Sequence, residues 1–292
     1  MSANARGPLG TDRVSVGPGL SMFDPMFVGI DEFGHAVHLD VVYHNLLIAG
    51  EPGGGKSGLV NLAAGTAALA EKTRLVLFDA KWVELGPYMK VADEFIGDEI
   101  DKALSVLRRL LTVARNRYLW ILSQRRRKVR REDLLSTIVT IIDELAMFTT
   151  VLGTEQQQKE FEQLLRGLVS LGRACGMPVI AATQRTSWDI IPASLRDLFG
   201  YRCAFSCTTV GSSDVILGSG LAAMGYDASM INAENPGEAL LRAGKRLPYL
   251  IKAAYLSDDD IYGIADYAEW MRSPSRLTVP APTTTSQWEM AA

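Results

Sequence analysis

A lysine and a serine follow a cluster of glycines in the segment HNLLIAGEPGGGKSGLV, which spans residues 44–60. The spacing is G-x-x-x-x-G-K-[ST], the pattern of loops that cradle nucleotide phosphates. Glycines let the backbone turn tightly and point successive N–H groups inward. Lys56 is expected to reach the β- and γ-phosphates of ATP, and the Ser57 hydroxyl is expected to bind Mg²⁺. Glu51 is expected to point to solvent, because phosphates repel a carboxylate. The residues predicted to bind the nucleotide are Gly50, Gly53, Gly54, Gly55, Lys56, Ser57 and Gly58.

Two adjacent acids, Asp143 and Glu144, follow an apolar run that is rich in β-branched residues. This pattern is typical of the second nucleotide motif, in which the aspartate holds Mg²⁺ directly or through water. A glutamate one residue later is placed to orient or deprotonate an attacking water. The pair therefore favours hydrolysis over transfer of phosphate to a small molecule, with Ser57 and Asp143 as the Mg²⁺ ligands.

Two further polar residues complete the predicted catalytic set. Gln184 follows PVIAAT and is expected to contact the γ-phosphate or the attacking water; the alternative is an amide that caps the strand end. Arg173 ends the preceding helical pattern and is a candidate for an arginine that acts on the site of a neighbouring copy. Arg166 and Arg202 are its rivals.

The elements that must position these residues alternate between strands and helices. Strands are expected near residues 46–49, 74–80, 136–142, 178–184 and 201–207, with helices over 57–69, 99–127, 156–174 and 257–271. A hairpin is expected over residues 26–41 and another about Gly244. This alternation predicts an α/β fold, with a mostly parallel sheet covered by helices on both faces and a small N-terminal β-hairpin. Functional groups then gather at the carboxyl ends of the strands.

Bulk properties are compatible with one large domain. The chain has 292 residues, 48% of them hydrophobic, and a formal net charge of −3. Three cysteines make no disulfide framework, which fits a cytoplasmic protein, and no apolar run is long enough for a transmembrane segment. Net acidity argues against general nucleic-acid binding, but residues 125–131 carry six basic side chains in seven positions. That basic segment is either a contact for duplex DNA or a solvated helix end.

Five ordered blocks resemble the motor domain of the FtsK/SpoIIIE family of double-stranded DNA translocases. The lead-in to the phosphate loop resembles P-H-L-L-[IV]-A-G-x-T-G-S-G-K-S, FDAKWVEL is similar to D-P-K-x-x-E-L, and IIDELA is similar to V-V-D-E-[FL]-A. Residues 172–207 resemble a block containing A-T-Q-R-P-S-x-D-V-I, and residues 236–261 resemble the closing hairpin and acidic helix start. Departures include His44-Asn45 in place of Pro-His and Thr186 in place of Pro.

The resemblance implies a RecA-like P-loop NTPase that uses ATP and Mg²⁺ and forms a hexameric ring around double-stranded DNA. It assigns nucleotide roles to Lys56, Ser57, Asp143, Glu144 and Gln184, and a trans-acting role to Arg173. The short chain is similar to transfer proteins of actinobacterial plasmids and integrative elements. Without the family's membrane part and winged-helix module, it is expected to be cytoplasmic, recruited to the membrane at most through an anchored partner.

The expected organisation is a flexible lead over residues 1–25, a motor domain over 26–272 and a flexible tail over 273–292. The leading functional hypothesis is an ATP-driven motor on duplex DNA that serves conjugative transfer or chromosome partition. Two alternatives stay open: an ATPase of the same superfamily that drives protein secretion, and a nucleotide-gated assembly module with negligible turnover.

Overall fold

The structure is a computed structural model that describes residues 4–6, 13–15 and 20–273. The strands are β1 (Asn4–Arg6), β2 (Arg13–Ser15), β3 (Met26–Asp31), β4 (Ala36–Leu39), β5 (Leu46–Ala49), β6 (Thr73–Phe78), β7 (Glu94–Ile96), β8 (Thr137–Ile142), β9 (Val179–Thr183), β10 (Tyr201–Phe205), β11 (Glu238–Ala243) and β12 (Tyr249–Ala253). The helices are α1 (Lys56–Leu69), α2 (Ile100–Ser123), α3 (Glu155–Gly172), α4 (Ala193–Arg196), α5 (Val210–Leu217) and α6 (Asp258–Arg272).

A ten-stranded sheet organises the fold, in the order β4-β3-β12-β11-β10-β5-β9-β8-β6-β7. The strands from β10 to β7 run parallel, whereas β11, β12, β3 and β4 extend the sheet as antiparallel neighbours. The predicted α/β P-loop fold is confirmed. The predicted N-terminal hairpin also exists as β3 and β4, and it is joined to the main sheet through β12.

Alternate residues of the central strands supply two separate cores, one on each face of the sheet. On β5, Leu47 and Ala49 pack with the apolar sides of α2 and α3, while Leu46 and Ile48 pack with α1 and α6. All four of these residues are fully buried, which explains why β5 reads as a continuous apolar run. Helices therefore cover both faces, as the alternation of elements predicted.

Most predicted elements lie within a few residues of their observed bounds, and the differences fall at their ends. The long helix was expected to reach about residue 127, but α2 ends at Ser123, so the basic segment follows the helix. Arg125 has a φ of 52°, in the left-handed region, which is incompatible with continuing the helix. The sequence did not predict β7 or α5, which are short.

The domain bounds stay a prediction. Residues 1–3, 7–12 and 16–19 of the expected lead, and residues 274–292 of the expected tail, lie outside the described residues. Met22, within the predicted lead, is 2% exposed and packs in the core on the α1 face. Within the part of the chain that the structure describes, no helix is long and apolar enough to cross a membrane.

Candidate nucleotide-hydrolysis site

The glycine loop lies between the end of β5 and the start of α1, and it requires glycine at two positions. A Cβ on Gly50 would come within 2.6 Å of the Cβ of Phe205, on the neighbouring strand β10. Gly55 caps α1 with a φ of 106°, and a Cβ there would lie 2.5 Å from the backbone nitrogen of Gly237. Gly237 in turn donates a hydrogen bond to the Gly54 carbonyl at 2.7 Å. The loop is therefore held from outside by the segment that leads into β11.

The paired strands bring the predicted acids to the same edge of the sheet as this loop. Strand β9 lies between β5 and β8, with Ala49 opposite Thr183 and Ile142 opposite Ala181. Asp143 follows β8 directly, and its backbone N–H donates to the Phe78 carbonyl at the end of β6. The phosphate loop, Gln184 and the two acids therefore meet where four parallel strands end.

Asp143 is the most perturbed acid of this edge. Burial raises the pKa of its carboxyl group to about 7; the nearby Lys56 ammonium opposes this shift, and the carboxylates of Asp79, Glu84 and Glu144 reinforce it. Both Asp143 and Lys56 are buried, at 3% and 4% exposure. A buried lysine and a buried acid beside a glycine loop are arranged to bind a ligand that carries charge of both signs.

The oxygen atoms at this edge fit a magnesium ion. The Oδ1 atom of Asp143 is buried and has no hydrogen-bond partner among the described residues. The Ser57 hydroxyl lies in the first turn of α1. Carboxylate and hydroxyl oxygens suit Mg²⁺, which usually completes its shell with water and substrate phosphates. Ser57 and Asp143 are therefore the side chains that would hold Mg²⁺ here.

Glu144 is tied to the end of β9 through both of its carboxylate oxygens. Oε1 accepts hydrogen bonds from the Thr183 hydroxyl at 2.6 Å and from the Ala146 backbone N–H at 3.2 Å. Oε2 accepts a hydrogen bond from the backbone N–H of Gln184 at 2.8 Å. The acid proposed to activate water thus contacts the residue proposed to sense it.

Sequence reasoning assigned no role to two residues of this edge, Asp79 and Glu84. The Asp79 carboxylate, 1% exposed, accepts hydrogen bonds from the backbone N–H groups of the loop that follows β6. Glu84 ends that loop and accepts a hydrogen bond from the Ser57 hydroxyl at 2.9 Å. Both acids lie in the block FDAKWVEL, which resembles the family, so the sequence marked this segment as part of the site. Spacing alone does not show what the two acids contact.

Glu51 does not point to solvent as expected. Its side chain is partly buried and accepts a hydrogen bond from the Thr208 hydroxyl, and its backbone N–H donates to the Ser206 carbonyl at 2.9 Å. The Glu51 carboxylate is therefore held by the loop that follows β10.

Arg173 lies at the opposite edge of the sheet from the glycine loop. Its Nε donates a hydrogen bond at 3.0 Å to the carbonyl of Tyr43, which precedes β5, whereas the loop follows β5. The four residues of β5 alone separate the two edges by about 13 Å. Arg173 therefore does not join the site of its own chain.

The rival arginines are held by their own partners. Arg202 is 8% exposed and donates hydrogen bonds to the carbonyl groups of Phe199 and Leu217. Arg166 pairs with Glu162, one turn earlier on α3. The burial of Arg202 excludes it as a residue that reaches a neighbouring molecule in this conformation.

The basic segment, residues 125–131, lies beside Arg173. The backbone N–H of Val129 donates to the Ala174 carbonyl at 2.9 Å, and Arg173, Arg127 and Lys128 line one cleft of about 760 Å³. Arg126 is committed to the fold, because it pairs with Asp133 at 2.7 Å and lies over the Trp120 ring.

The other cations of the basic segment fall into two groups. Lys128 lies over the Tyr43 ring, and Arg130 and Arg131 pair with Glu132 and Asp24. The side chains of Arg125 and Arg127 are exposed and form no hydrogen bond or ion pair within residues 20–273. The guanidinium groups of these two arginines are therefore available to bind an external phosphate.

Comparison with known proteins agrees with this geometry. The FtsK/SpoIIIE family model matches residues 21–135, a segment that contains the glycine loop and Glu84. The DNA translocase FtsK of Corynebacterium glutamicum is 29% identical in an alignment of 284 positions that covers 86% of this chain and 29% of that protein. The chain thus spans about a third or less of the curated relatives described first.

Two solved structures show the same fold. The conjugation coupling protein TcpA of pCW3, solved as a monomer with ATPγS, is 21% identical and has a TM-score of 0.71, covering 84% of this chain and 70% of TcpA. The cytoplasmic domain of the type VII secretion ATPase EccC from Thermomonospora curvata is 19% identical, with a TM-score of 0.61, covering 83% of this chain and 30% of EccC. The chain therefore resembles the FtsK/SpoIIIE family over residues 21–135 and has the fold of these P-loop ATPases, as its motifs predicted.

Proposed function

We propose that this protein is a Mg²⁺-dependent ATPase that translocates double-stranded DNA. The observation that carries the proposal is the convergence of the glycine loop, Lys56, the Asp143-Glu144 pair and Gln184 on one edge of the sheet. No other arrangement of polar residues in the described chain combines a phosphate cradle with a buried acid pair.

Different residues of the site have different roles in the proposed hydrolysis. The loop N–H groups and the α1 N-terminus bind the phosphates, and Lys56 neutralises charge on the β- and γ-phosphate oxygens. Ser57 and Asp143 would hold Mg²⁺, which when bound would supply further charge neutralisation at those oxygens. Glu144 orients the attacking water and accepts its proton, because it lies next to Asp143 at the strand end.

Gln184 is proposed to link hydrolysis to movement. The backbone N–H of Gln184 donates a hydrogen bond to the Glu144 carboxylate. Movement of that carboxylate during hydrolysis would therefore displace the segment that follows β9. That segment, residues 185–192, has exposed side chains at Arg185 and Trp188. Ile190 and Ile191 anchor the end of the segment in the core, and Arg185 and Trp188 are proposed to pass the displacement to a bound polymer.

Arg173 is proposed to complete the site of an adjacent copy. Its position at the opposite edge of the sheet supports this role, since a head-to-tail ring places the edge of one copy against the loop of the next. We propose a homo-hexamer, as the resemblance to the FtsK/SpoIIIE family implies.

Duplex DNA is proposed as the substrate because the FtsK relatives are named DNA translocases and TcpA is named a conjugation coupling protein. Conjugative transfer or chromosome partition are the processes such a motor serves. A cytoplasmic location with recruitment by a membrane-anchored partner is part of the same proposal. Arg125 and Arg127 supply charge for phosphate contacts.

The test is ATP turnover by the purified chain with duplex DNA, single-stranded DNA or no DNA, at two salt concentrations. We expect turnover that duplex DNA stimulates and salt weakens, and none in Lys56→Ala. Turnover that ignores DNA would overturn the DNA part of the proposal, and absence of turnover in all arms would overturn the whole.

A second candidate, protein secretion, is favoured by the structural likeness to EccC. It predicts stimulation by a peptide and indifference to duplex DNA. Adding a panel of candidate peptides to the same assay separates the two functions.

Glu144→Gln tests the assignment of the water-activating acid and also addresses the gated assembly module. Because the amide accepts no proton, we expect tight ATP binding with turnover reduced about 100-fold or more. Undiminished turnover would show that another group activates the water. Negligible turnover in the wild type, with tight ATP binding, would favour the assembly module.

A further inference from the structure

The loop between β6 and Glu84 is built to hold one geometry. Both oxygens of Asp79 accept backbone hydrogen bonds from it, from Lys81 and Trp82 at 3.0 Å and from Leu85 at 2.9 Å. Trp82 adopts a φ of 63°, which is uncommon for a bulky residue, and its ring packs against Gly97, where a Cβ would lie 2.3 Å away. The loop therefore delivers Glu84 to a fixed place.

The Glu84 carboxylate lies against the first turn of α1. The Oε1 atom of Glu84 accepts a hydrogen bond from the Ser57 hydroxyl, with 2.9 Å between the two oxygens. The Oε2 atom lies 3.5 Å from the side-chain nitrogen Nδ2 of Asn61, one turn later. A serine hydroxyl has one hydrogen and two lone pairs. With the hydrogen directed at Glu84, both lone pairs of Ser57 are left for a cation.

Two buried acceptors without partners lie among these residues. Asn61 and Asp143 are each 3% exposed, and the Oδ1 atom of each lacks a hydrogen-bond partner among the described residues. Buried acceptors without a hydrogen-bond partner are costly, and an ion is one kind of partner that satisfies them. Together with the Ser57 hydroxyl, they indicate a cation beside the glycine loop.

We propose that Glu84 is a positioning residue of the metal site: it orients the Ser57 hydroxyl toward Mg²⁺ without itself contacting the ion. This inference rests on the ATP and Mg²⁺ binding of the proposed function, and it is independent of hydrolysis and of DNA. Partners of metal ligands that act in this way typically change metal affinity 10–100-fold.

The experiment measures the affinity of a fluorescent, non-hydrolysable ATP analogue in EDTA and in Mg²⁺, for the wild type, Glu84→Ala and Glu84→Gln. We expect Mg²⁺ to tighten binding by the wild type, and Glu84→Ala to lose about tenfold of that tightening while its affinity in EDTA stays within about twofold. Glu84→Gln keeps an acceptor and should recover most of the loss. Glu71→Ala removes an exposed acid at the other end of α1 and should match the wild type.

A double-mutant cycle separates positioning from a structural role. In the Ser57→Ala background, Glu84→Ala should have no further effect on the Mg²⁺ dependence, because the group it positions is gone. Equal losses in EDTA and in Mg²⁺, full Mg²⁺ tightening in Glu84→Ala, or a wild type insensitive to Mg²⁺ would each overturn the inference. Lack of turnover or of DNA stimulation would overturn the proposed function alone, since this measurement reads equilibrium binding.

Discussion

The Thr183 hydroxyl donates a hydrogen bond of 2.6 Å to the Glu144 carboxylate, which ties the end of β9 to the end of β8. Thr183 is fully buried, and Glu144 is 7% exposed. A hydrogen bond to a carboxylate in such surroundings contributes more than one between neutral groups, because solvent competes little. The bond therefore restricts rotation of the Glu144 carboxylate.

Thr183→Val should lower ATP turnover about tenfold and leave ATP affinity within about twofold, since it frees Glu144 to rotate without touching the loop. It should also lower the free energy of unfolding by about 1–3 kcal/mol, the worth of a hydrogen bond to a charged group. Steady-state kinetics and urea unfolding measure the two effects.

Thr140→Val provides a matched control on the adjacent strand β8. Thr140 is fully buried, and its hydroxyl oxygen has no partner within the described chain. Removing an unsatisfied hydroxyl should leave turnover unchanged and leave stability equal or higher by about 1 kcal/mol. Equal loss of turnover in both variants would show that packing, and not the bond to Glu144, explains the effect at Thr183.

Stability in metal-free buffer should fall as pH rises from 5 to 8, because of Asp143. Its pKa is about 7 in the fold and near 3.8 without the fold, so between these values the folded state binds the extra proton. The stabilisation is fully present below pH 4 and is lost as pH rises through 7. It amounts to about 4 kcal/mol at most, at 1.36 kcal/mol per pKa unit.

Urea unfolding in EDTA across this range measures the effect, and Asp143→Asn should flatten it. The carboxyl groups with lowered pKa values contribute stability that is lost only below about pH 4, outside this window; they are Asp31, Asp189, Asp197 and Asp260. The same pH slope in wild type and Asp143→Asn would contradict the assignment.

Arg173→Ala should abolish turnover in a homogeneous assembly and regain it on mixing with Lys56→Ala. Each variant alone lacks one half of every site, and removing such a charged donor costs roughly 100-fold or more. In a random equal mixture, about a quarter of head-to-tail interfaces pair an intact loop with an intact arginine. Turnover of the mixture against composition measures the recovery.

The control for this experiment is Arg166→Ala, which disrupts an ion pair within α3 and should retain turnover. No recovery on mixing, with both variants assembled normally, would mean that Arg173 acts within its own chain or only structurally.

Replacing Arg125 and Arg127 with Ala should weaken duplex binding and flatten its salt dependence. Both side chains are exposed and unpaired within residues 20–273, so the fold should tolerate the change. Loss of two phosphate contacts lowers the slope of log K against log salt by about 1.8. Arg126 is left intact, because its pairing with Asp133 makes it a structural residue.

A charge-matched control replaces Arg108 and Arg109, which pair with Glu160 and Glu94 on the surface. Binding isotherms at several salt concentrations should separate the two double variants. If both lose the same affinity, the basic segment contributes only net charge.

The candidate site was predictable where it depended on neighbouring residues. The glycine loop, the acid pair and the amide after PVIAAT are each short motifs whose spacing predicts their chemistry. The partners Thr183 and Glu84 were not predictable, because each contacts a residue distant in sequence, and many strand ends carry similar side chains. Helix ends were also displaced, since the turn at Arg125 depends on what Arg126 and Val129 contact.

The sequence by itself determined the class of the fold, because apolar runs that alternate with helices pack as a sheet covered on both faces. It also predicted a phosphate-binding loop, because glycine spacing is a local property of the backbone. Only the tertiary structure decided which groups meet. The order of strands places β9 between β5 and β8, and this order sets Glu144 against Thr183, Glu84 against Ser57 and Arg173 at the far edge. Such pairings depend on contacts between segments far apart in the chain, which local spacing does not specify.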